Sequence, residues 1–390
     1  MGEGGEAAWY RRRWRWLAAA TIALLVALGI GVAISWHFSD AVLVPDHSPW
    51  PESTEVLGVS PKRISLARSE DSERPGVYGL DWPGGHAVIG AIEHESGDAV
   101  VRKLLSSHGY LVAGRKVLVE ADVYAGNPRE ALGIPFSTVP VADELGLMPD
   151  WLIRGRSRTW TIVVHGINGT PQEGLHLLPA LRRAGLPTML IAYREDLGAP
   201  PSPDGFHHMG LTEWRDLQAA AGYALAHGAR RLVLVGYSMG GAIVAQFMQK
   251  SSLAGRVAGL VLDAPVLDWK RTIEFNSEEM GLPGFAALPV IWAIGARVDA
   301  DWDSLDALAH PEAFHLPILL FHGTDDKVVP ISGSDDFAAE LPRWVTYYRV
   351  PEAGHTQAWN VDPRLYERRL SAFLASLEPS QRALRTPGNH

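Results

Sequence analysis

Gly236-Tyr237-Ser238-Met239-Gly240 is the stretch of this sequence that decides the fold. The apolar run before it, residues 231–235, predicts a buried strand, and residues 241–247 after it predict the start of a helix. Gly236 and Gly240 lack side chains that would collide where a strand and a helix meet around a strained backbone. The pattern therefore predicts a tight strand–turn–helix junction with Ser238 at its apex.

Candidate partners for Ser238 follow predicted strands further along the chain. Asp325 and Asp326 come after the apolar run 317–320, and His355 lies in a loop after residues 344–348. A serine hydroxyl is a poor nucleophile until a base such as histidine removes its proton, and a carboxylate can orient that histidine. The sequence thus predicts Ser238 as nucleophile and His355 as base, with either Asp325 or Asp326 as the acid.

The order serine, acid, histidine resembles that of the α/β-hydrolase superfamily, specifically its esterase/lipase and serine-aminopeptidase-like branch, over roughly residues 135–377. The resemblance implies that the acid is Asp326, the aspartate of an H-G-x-x-D-x-x-V-P stretch. It also implies that the loop His165-Gly166-Ile167 follows the third strand of the fold. The N–H groups of Ile167 and Met239 would then form the oxyanion hole.

These residue types predict a serine hydrolase that cleaves a small-molecule carboxylic ester through an acyl-enzyme. A peptidase or an acyltransferase would use the same groups. A catalytically silent hydrolase fold, acting as a binding module of the cell envelope, is the alternative from another functional class.

Composition excludes several other classes. The chain has 390 residues, 47% of them hydrophobic and 20% charged, which is typical of a globular protein. Its net charge of -9 argues against nucleic-acid binding. It contains no cysteine, which excludes disulfides and thiolate chemistry, and no metal or nucleotide motif, so we expect no cofactor and no metal. We expect the pair His207-His208 to be solvated.

The N-terminus predicts a membrane helix. Residues 17–36 form an uncharged stretch of 20 residues, long enough to span a bilayer. Arg11, Arg12, Arg13 and Arg15 precede it, so the positive-inside rule places residues 1–16 in the cytoplasm and the rest outside. We therefore expect a single-pass protein of the cell membrane with an extracytoplasmic hydrolase domain. A cleaved signal peptide is the alternative.

Alternation of strand and helix patterns predicts the remaining organisation. We expect a linker and a small β-rich accessory region over 37–134, with residues 37–75 partly linker and a short helix at 99–106. Residues 135–378 should form an α/β domain with a mostly parallel sheet, interrupted at 264–316 by an aromatic-rich, cap-like insertion. This insertion would line an apolar acyl pocket or pack its own small core, and Trp359 is similarly ambiguous. Residues 379–390 should be a flexible tail.

Overall fold

A computed structural model describes residues 3–377, with side chains described from residue 12 onward except at 27 and 28. The predicted tail at 379–390 lies outside the described residues. Three parts follow one another along the chain: a long N-terminal helix, a small barrel, and an α/β domain that carries the predicted catalytic residues.

The N-terminal helix α1 runs over Glu3–Leu43. Its segment Arg12–Leu43 is long and apolar enough to cross a membrane. The helix does not end where the predicted span ends at Trp36, however. Leu43 is fully buried in the core of the α/β domain, and its carbonyl accepts a 2.8 Å hydrogen bond from the His207 N–H. The last turns of α1 are therefore part of the folded domain.

Six antiparallel strands form a closed barrel between α1 and the α/β domain, in the order β1-β2-β5-β4-β3-β6. They are β1 (Thr54–Ser60), β2 (Arg63–Ala67), β3 (Tyr78–Trp82), β4 (Gly85–Ser96), β5 (Ala99–His108) and β6 (Lys116–Glu120). The short helix α2 (Glu70–Glu73) joins β2 to β3. Pairing of β1 with β6 closes the barrel around a small core of its own.

Two predictions for this region were wrong. Residues 99–106 form strand β5 rather than a helix, because their backbone pairs with β2 on one side and β4 on the other. Residues 54–67, within the predicted linker, form β1 and β2. These strands bury few side chains, chiefly Val56, Ile64 and Leu66, so they lack the long apolar runs that mark a strand in sequence.

The α/β domain is built on an eight-stranded sheet in the order β14-β13-β12-β11-β9-β10-β8-β7. Its strands are β7 (Ser137–Ala142), β8 (Leu147–Ile153), β9 (Thr159–Val164), β10 (Thr188–Leu190), β11 (Arg231–Tyr237), β12 (Val257–Asp263), β13 (Ile318–Gly323) and β14 (Val345–Val350). The six strands from β9 onward are parallel to one another, whereas β8 pairs antiparallel with both β7 and β10. The predicted mostly parallel sheet and the fold class are confirmed.

Helices cover both faces of this sheet and bury a separate apolar cluster on each face. They are α3 (Pro128–Leu132), α4 (Leu178–Arg183), α5 (Trp214–Ala226), α6 (Met239–Lys250), α7 (Trp269–Glu279), α8 (Leu288–Val298), α9 (Ile331–Glu340), α10 (Ala358–Val361) and α11 (Pro363–Leu377). Short 3-10 turns occupy Pro171–Leu177, Ala254–Arg256, Gly284–Ala287, Ala307–Ala309 and Pro311–Phe314.

The loops at the carboxyl ends of the parallel strands converge at one edge of the sheet, where ligands of such folds bind. Ser238 follows β11, Asp326 follows β13 and His355 follows β14. Helices α7 and α8 lie between β12 and β13, within the predicted cap. The topology thus brings together residues up to 117 positions apart in the chain.

Candidate active site

Ser238 sits in the tight turn between β11 and α6, with φ 49° and ψ -118°. A non-glycine residue adopts positive φ only at a cost that the surrounding structure must hold in place. A Cβ on Gly240 would lie 2.3 Å from the Val164 carbonyl oxygen, and one on Gly236 would lie 2.6 Å from the Gly240 carbonyl oxygen. Both glycines are therefore required for the turn to pack against β9 and project Ser238 from the sheet.

Three side chains form a continuous hydrogen-bonded chain at this turn. His355 Nε2 lies 2.8 Å from Ser238 Oγ, and His355 Nδ1 lies 2.8 Å from Asp326 Oδ2. Ser238 and Asp326 are buried, and the His355 side chain is 19% exposed. In this geometry the imidazole can take the Ser238 proton at Nε2 while Nδ1–H donates to the carboxylate.

Backbone groups and a second histidine hold Asp326 in place. Its Oδ1 accepts hydrogen bonds of 2.8 and 2.9 Å from the Val328 and Val329 N–H groups. Buried His322 Nε2 lies 3.2 Å from Oδ2. Asp325, the competing acid, is exposed and accepts from the Thr324 hydroxyl instead. Of the two aspartates, the structure brings Asp326 to His355.

The charges of this group shift two pKa values in opposite directions. Burial acts to raise the pKa of Asp326, but the charges and hydrogen bonds of His355 and His322 outweigh burial and lower that pKa. Burial acts to lower the pKa of His355, but the charge and hydrogen bond of Asp326 outweigh it and raise the pKa above 6.5. Asp326 therefore stays ionised, and the imidazolium form of His355 is stabilised.

The loop after β9 passes directly over Ser238. A Cβ on Gly166 would lie 3.1 Å from Ser238 Cβ, so only glycine fits there without displacing the serine. The N–H groups of Ile167 and Met239 donate to no other group among the residues that the structure describes. Both predicted donors are thus free to meet an oxygen beside Ser238.

Three residues that sequence reasoning missed hold this loop. Glu173 Oε2 accepts a 2.7 Å hydrogen bond from the Gly166 N–H, and the Tyr193 hydroxyl donates to the Gly166 carbonyl at 2.6 Å. The predicted loop residue His165 is buried, with Nε2 2.9 Å from Asp196 Oδ2 and its ring stacked on Tyr193. No local motif marks Glu173, Tyr193 or Asp196, because only the tertiary fold brings them to the loop.

An apolar cavity of about 300 Å³ opens beside Ser238. Two of its walls come from the cap helices and from the loops after β12 and β13, including Trp269, Ile273, Met280 and Val329. The third wall was not predicted: it is the end of α1, through Ile34, Ser35, Phe38, Ala41 and Val42. Walls of this kind suit a hydrocarbon chain better than a polar group.

The aromatic side chains of the cap divide between the two predicted roles. Trp269 lines the cavity and donates from Nε1 to the Met209 carbonyl at 2.9 Å. Trp302 packs against the core, whereas Phe285 and Trp292 are exposed. Trp359 is buried on the opposite face of the sheet, 5.1 Å from the His176 ring, so it belongs to the core.

The prediction that the pair His207-His208 is solvated was wrong. His207 is fully buried, with Nε2 3.1 Å from Asn168 Oδ1, and His208 Nε2 lies 3.1 Å from Asp204 Oδ2. The loop folds inward because the His207 N–H caps the end of α1. Within the described part of the chain, no group of three histidine or carboxylate side chains could hold a metal ion.

Comparison with known families gives two matches. Residues 204–377 match the prolyl oligopeptidase family, and residues 55–120, which cover the barrel, match a domain of unknown function, DUF8805. No curated protein matches the chain.

Solved structures of the same fold are numerous. An esterase of Pyrococcus furiosus is 18% identical, with a TM-score of 0.52 over 65% of this chain and 95% of that one. An esterase/lipase from an uncultured bacterium is 16% identical, with a TM-score of 0.50 over 66% of this chain and 88% of that one. At such identities the likeness establishes the fold. Together with the family match over residues 204–377, which include Ser238, Asp326 and His355, it identifies the chain as a serine hydrolase with the α/β-hydrolase fold.

Proposed function

We propose that the protein hydrolyses carboxylic esters through Ser238, His355 and Asp326. The observation that carries this proposal is the hydrogen-bonded chain from Ser238 Oγ through His355 to Asp326 Oδ2, at 2.8 Å for each link. Ser238 lines an apolar cavity together with Ile167, and within residues 3–377 the N–H groups of Ile167 and Met239 have no hydrogen-bond acceptor.

Each step of the reaction has a residue to perform it. His355 Nε2 takes the proton as Ser238 Oγ attacks the acyl carbon, and the N–H groups of Ile167 and Met239 bind the oxyanion that forms. The ester C–O bond breaks, and the leaving alcohol takes the proton from His355. Water then attacks the acyl-enzyme, His355 accepts its proton, and the carboxylic acid leaves as Ser238 regains its hydrogen.

A panel of p-nitrophenyl esters of rising chain length tests this activity. We expect turnover by the wild type and loss of turnover to background in Ser238→Ala, whose smaller side chain fits the turn. Circular dichroism of the variant should match the wild type. Turnover by folded Ser238→Ala at the wild-type rate would place the chemistry elsewhere.

A peptidase activity is the second candidate, because residues 204–377 match the prolyl oligopeptidase family. A peptide needs polar partners for its amides along the binding site, whereas the cavity beside Ser238 is lined mainly by apolar side chains. We therefore expect p-nitroanilide peptides to be poor substrates beside p-nitrophenyl esters. The reverse ranking of kcat/KM would favour the peptidase.

We also propose that α1 anchors the protein in the cell membrane, with the hydrolase domain outside. Four arginines precede its apolar stretch, and its last turns are built into the α/β domain, so cleavage near residue 36 would remove part of the cavity wall. Protease added to intact cells whose outer layers are permeable should digest the hydrolase domain, and the undigested protein should stay with the membrane pellet in high salt. A soluble protein beginning near residue 37 would contradict the anchor, and protection of the domain until lysis would contradict the orientation.

A further inference from the structure

The membrane helix and the acyl cavity share residues. Ile34, Phe38, Ala41 and Val42 recur at helical spacing, so α1 presents one continuous face to the cavity that contains Ser238. A helix that only tethered the domain to the membrane would not need to contact the cavity. In this structure the end of α1 forms one wall of the cavity.

The position of this wall along α1 sets its depth in a bilayer. Twenty residues from Leu17 to Trp36 rise about 30 Å, which is the thickness of the hydrocarbon core. With the arginines on the cytoplasmic side, Trp36 reaches the outer boundary of that core. The cavity meets α1 within two turns of this point, so it lies at the surface of the outer leaflet.

The cap exposes apolar side chains beside the same end of α1. Met280, Leu282, Phe285, Leu288 and Trp292 are 62, 52, 72, 57 and 60% exposed. They surround the connection between α7 and α8, a helix pair bent by 114° that is itself apolar enough to count as a broken membrane segment. In water such a cluster is unfavourable, whereas in the boundary region of a bilayer it is stabilising.

Arg297 of α8 fixes the cap to α1. Its side chain is 7% exposed and donates to Asp40 Oδ1 at 2.6 Å, to the Ser39 hydroxyl and to the Trp36 carbonyl. The guanidinium also lies 5.2 Å from the Trp36 ring. Met280 and Leu282 of the cap line the same cavity as Ile34 and Phe38 of α1. The exposed apolar side chains are therefore continuous with the membrane-spanning face of α1, and this continuity favours a bilayer over a protein partner as the surface that covers them.

We propose that the cavity opens into the outer leaflet between α1 and the cap, and that the substrate is a long-chain fatty acyl ester of a membrane glycerolipid. The acyl chain enters sideways from the bilayer and lies along Ile34 and Phe38, which places its ester at Ser238. Ser238 Oγ replaces the glycerol oxygen at the acyl carbon, and the glycerol-side alcohol leaves with the proton from His355. Hydrolysis of the acyl-enzyme then releases the free fatty acid and restores Ser238. This inference rests on the esterase activity and the membrane anchor proposed above.

The test uses the full chain in vesicles of dialkyl phosphatidylcholine, whose ether links cannot be hydrolysed. The vesicles carry either dioleoylglycerol or dioleoylphosphatidylcholine as the bilayer substrate, and oleate release is measured. Turnover of water-soluble p-nitrophenyl butyrate by the same vesicles gives the reference rate. The variant is Phe285→Asp with Trp292→Asp, two exposed side chains that do not line the cavity. The matched control is Tyr110→Asp, an aromatic residue 75% exposed on the barrel.

We expect the wild type to release oleate from at least one of the two lipids. The lipid that gives the faster oleate release is the preferred glycerolipid. The ratio of oleate release to butyrate turnover should fall at least ten-fold in the double variant and stay at the wild-type value in the control. If the double variant does not fold, Phe285→Asp alone should lower the ratio in the same direction.

Butyrate turnover without oleate release by the wild type would overturn the inference and leave the esterase proposal standing. So would an unchanged ratio in the folded double variant. If the wild type is a dimer that the double substitution converts into a monomer without changing the ratio, a second copy of this chain, and not the bilayer, covers the cap. A wild type inactive on both substrates would refute the esterase proposal, and this inference with it.

Discussion

The position of Ser238 depends on three glycines that leave room for close backbone packing around it. A Cβ on Gly166 would crowd Ser238 itself, and a Cβ on Gly236 would meet the backbone of Gly240. A Cβ at Gly240 would overlap the Val164 carbonyl, so even an alanine there would push α6 away from β9. The position of the Ser238 hydroxyl is thus set by backbone packing before any hydrogen bond forms.

Asp326 and Asp325 offer a matched pair of variants for the acid. Asp326→Asn should lower kcat by roughly 10³–10⁴-fold, because the amide cannot stabilise the imidazolium and favours the wrong tautomer of His355. Asp325→Asn should stay within about two-fold of the wild type, since that carboxylate is exposed and contacts Thr324. Steady-state kinetics with p-nitrophenyl butyrate give the ranking, and the reverse order would transfer the role of the acid to Asp325.

The raised pKa of His355 makes a prediction about pH. Only neutral imidazole can accept the Ser238 proton, so kcat/KM should rise as His355 deprotonates. Because Asp326 raises the pKa of His355, the midpoint of that rise should lie above 6.5. The residual activity of Asp326→Asn should show a lower midpoint. A wild-type midpoint below 6.5 would contradict the paired geometry.

The side chains of the proposed triad were easier to predict from the sequence than the residues that hold the neighbouring loop. Ser238, Asp326 and His355 each follow a strand within a short motif, so their order alone indicated which side chains would meet. The motif resemblance also distinguished Asp326 from Asp325. Glu173 and Asp196 lie in no recognisable motif, because their role depends on where the loop after β9 lies in space.

At the scale of secondary structure, the barrel braces the loop that carries His355. Asn360 Nδ2 donates to the carbonyls of Val77 and Ala121, each at 2.8 Å, and the Val77 N–H donates back to the Asn360 carbonyl. The Tyr78 hydroxyl donates to Gln357 Oε1 at 3.1 Å. Gln357 and Asn360 lie two and five residues after His355, so the barrel fixes the path of the chain directly beyond the base.

Asn360→Ala tests this bracing. Loss of the amide leaves two carbonyls of the barrel junction without their donor, which should cost about 1–3 kcal/mol of stability. We also expect kcat for p-nitrophenyl butyrate to fall several-fold and the pH midpoint of kcat/KM to shift downward, because His355 loses its fixed distances to Ser238 and Asp326. Thermal unfolding measures the change in stability, and kinetics over a range of pH measure the other two effects.

Asn276→Ala is the control for Asn360→Ala, since that amide also donates to two carbonyls but lies on cap helix α7. Its stability should fall without the same shift in the pH midpoint of kcat/KM. An Asn360→Ala protein with wild-type kcat and midpoint would show that the barrel does not position His355.

The barrel was the hardest part to predict. In β5, Arg102 is fully buried and donates to the carbonyls of Gly90, Ser72, Arg74 and Gly76. An arginine facing inward disrupts the alternation of apolar and polar residues that marks a strand, and Arg-Lys-Leu-Leu favours a helix locally. The α/β domain was easier, because its buried parallel strands are continuous apolar runs.

At the scale of the whole molecule, the three parts of the chain meet around the loops that carry Ser238, Asp326 and His355. The helix α1 supplies a wall of the cavity, the barrel holds the loop after His355, and the sheet positions Ser238 and Asp326. The sequence indicated each part separately. Their convergence was not predictable, because residues 34–42 and 77–121 contact the site only through long-range packing.

Mapping the adduct of a fluorophosphonate probe tests the central claim most directly. Trypsin should release residues 232–250, Leu232 to Lys250, a peptide in which Ser238 is the single serine. We predict that mass spectrometry finds the phosphonyl group on Ser238 and that Ser238→Ala takes up no probe. A folded wild type that stays unlabelled, or that carries the label on another residue, would contradict the account.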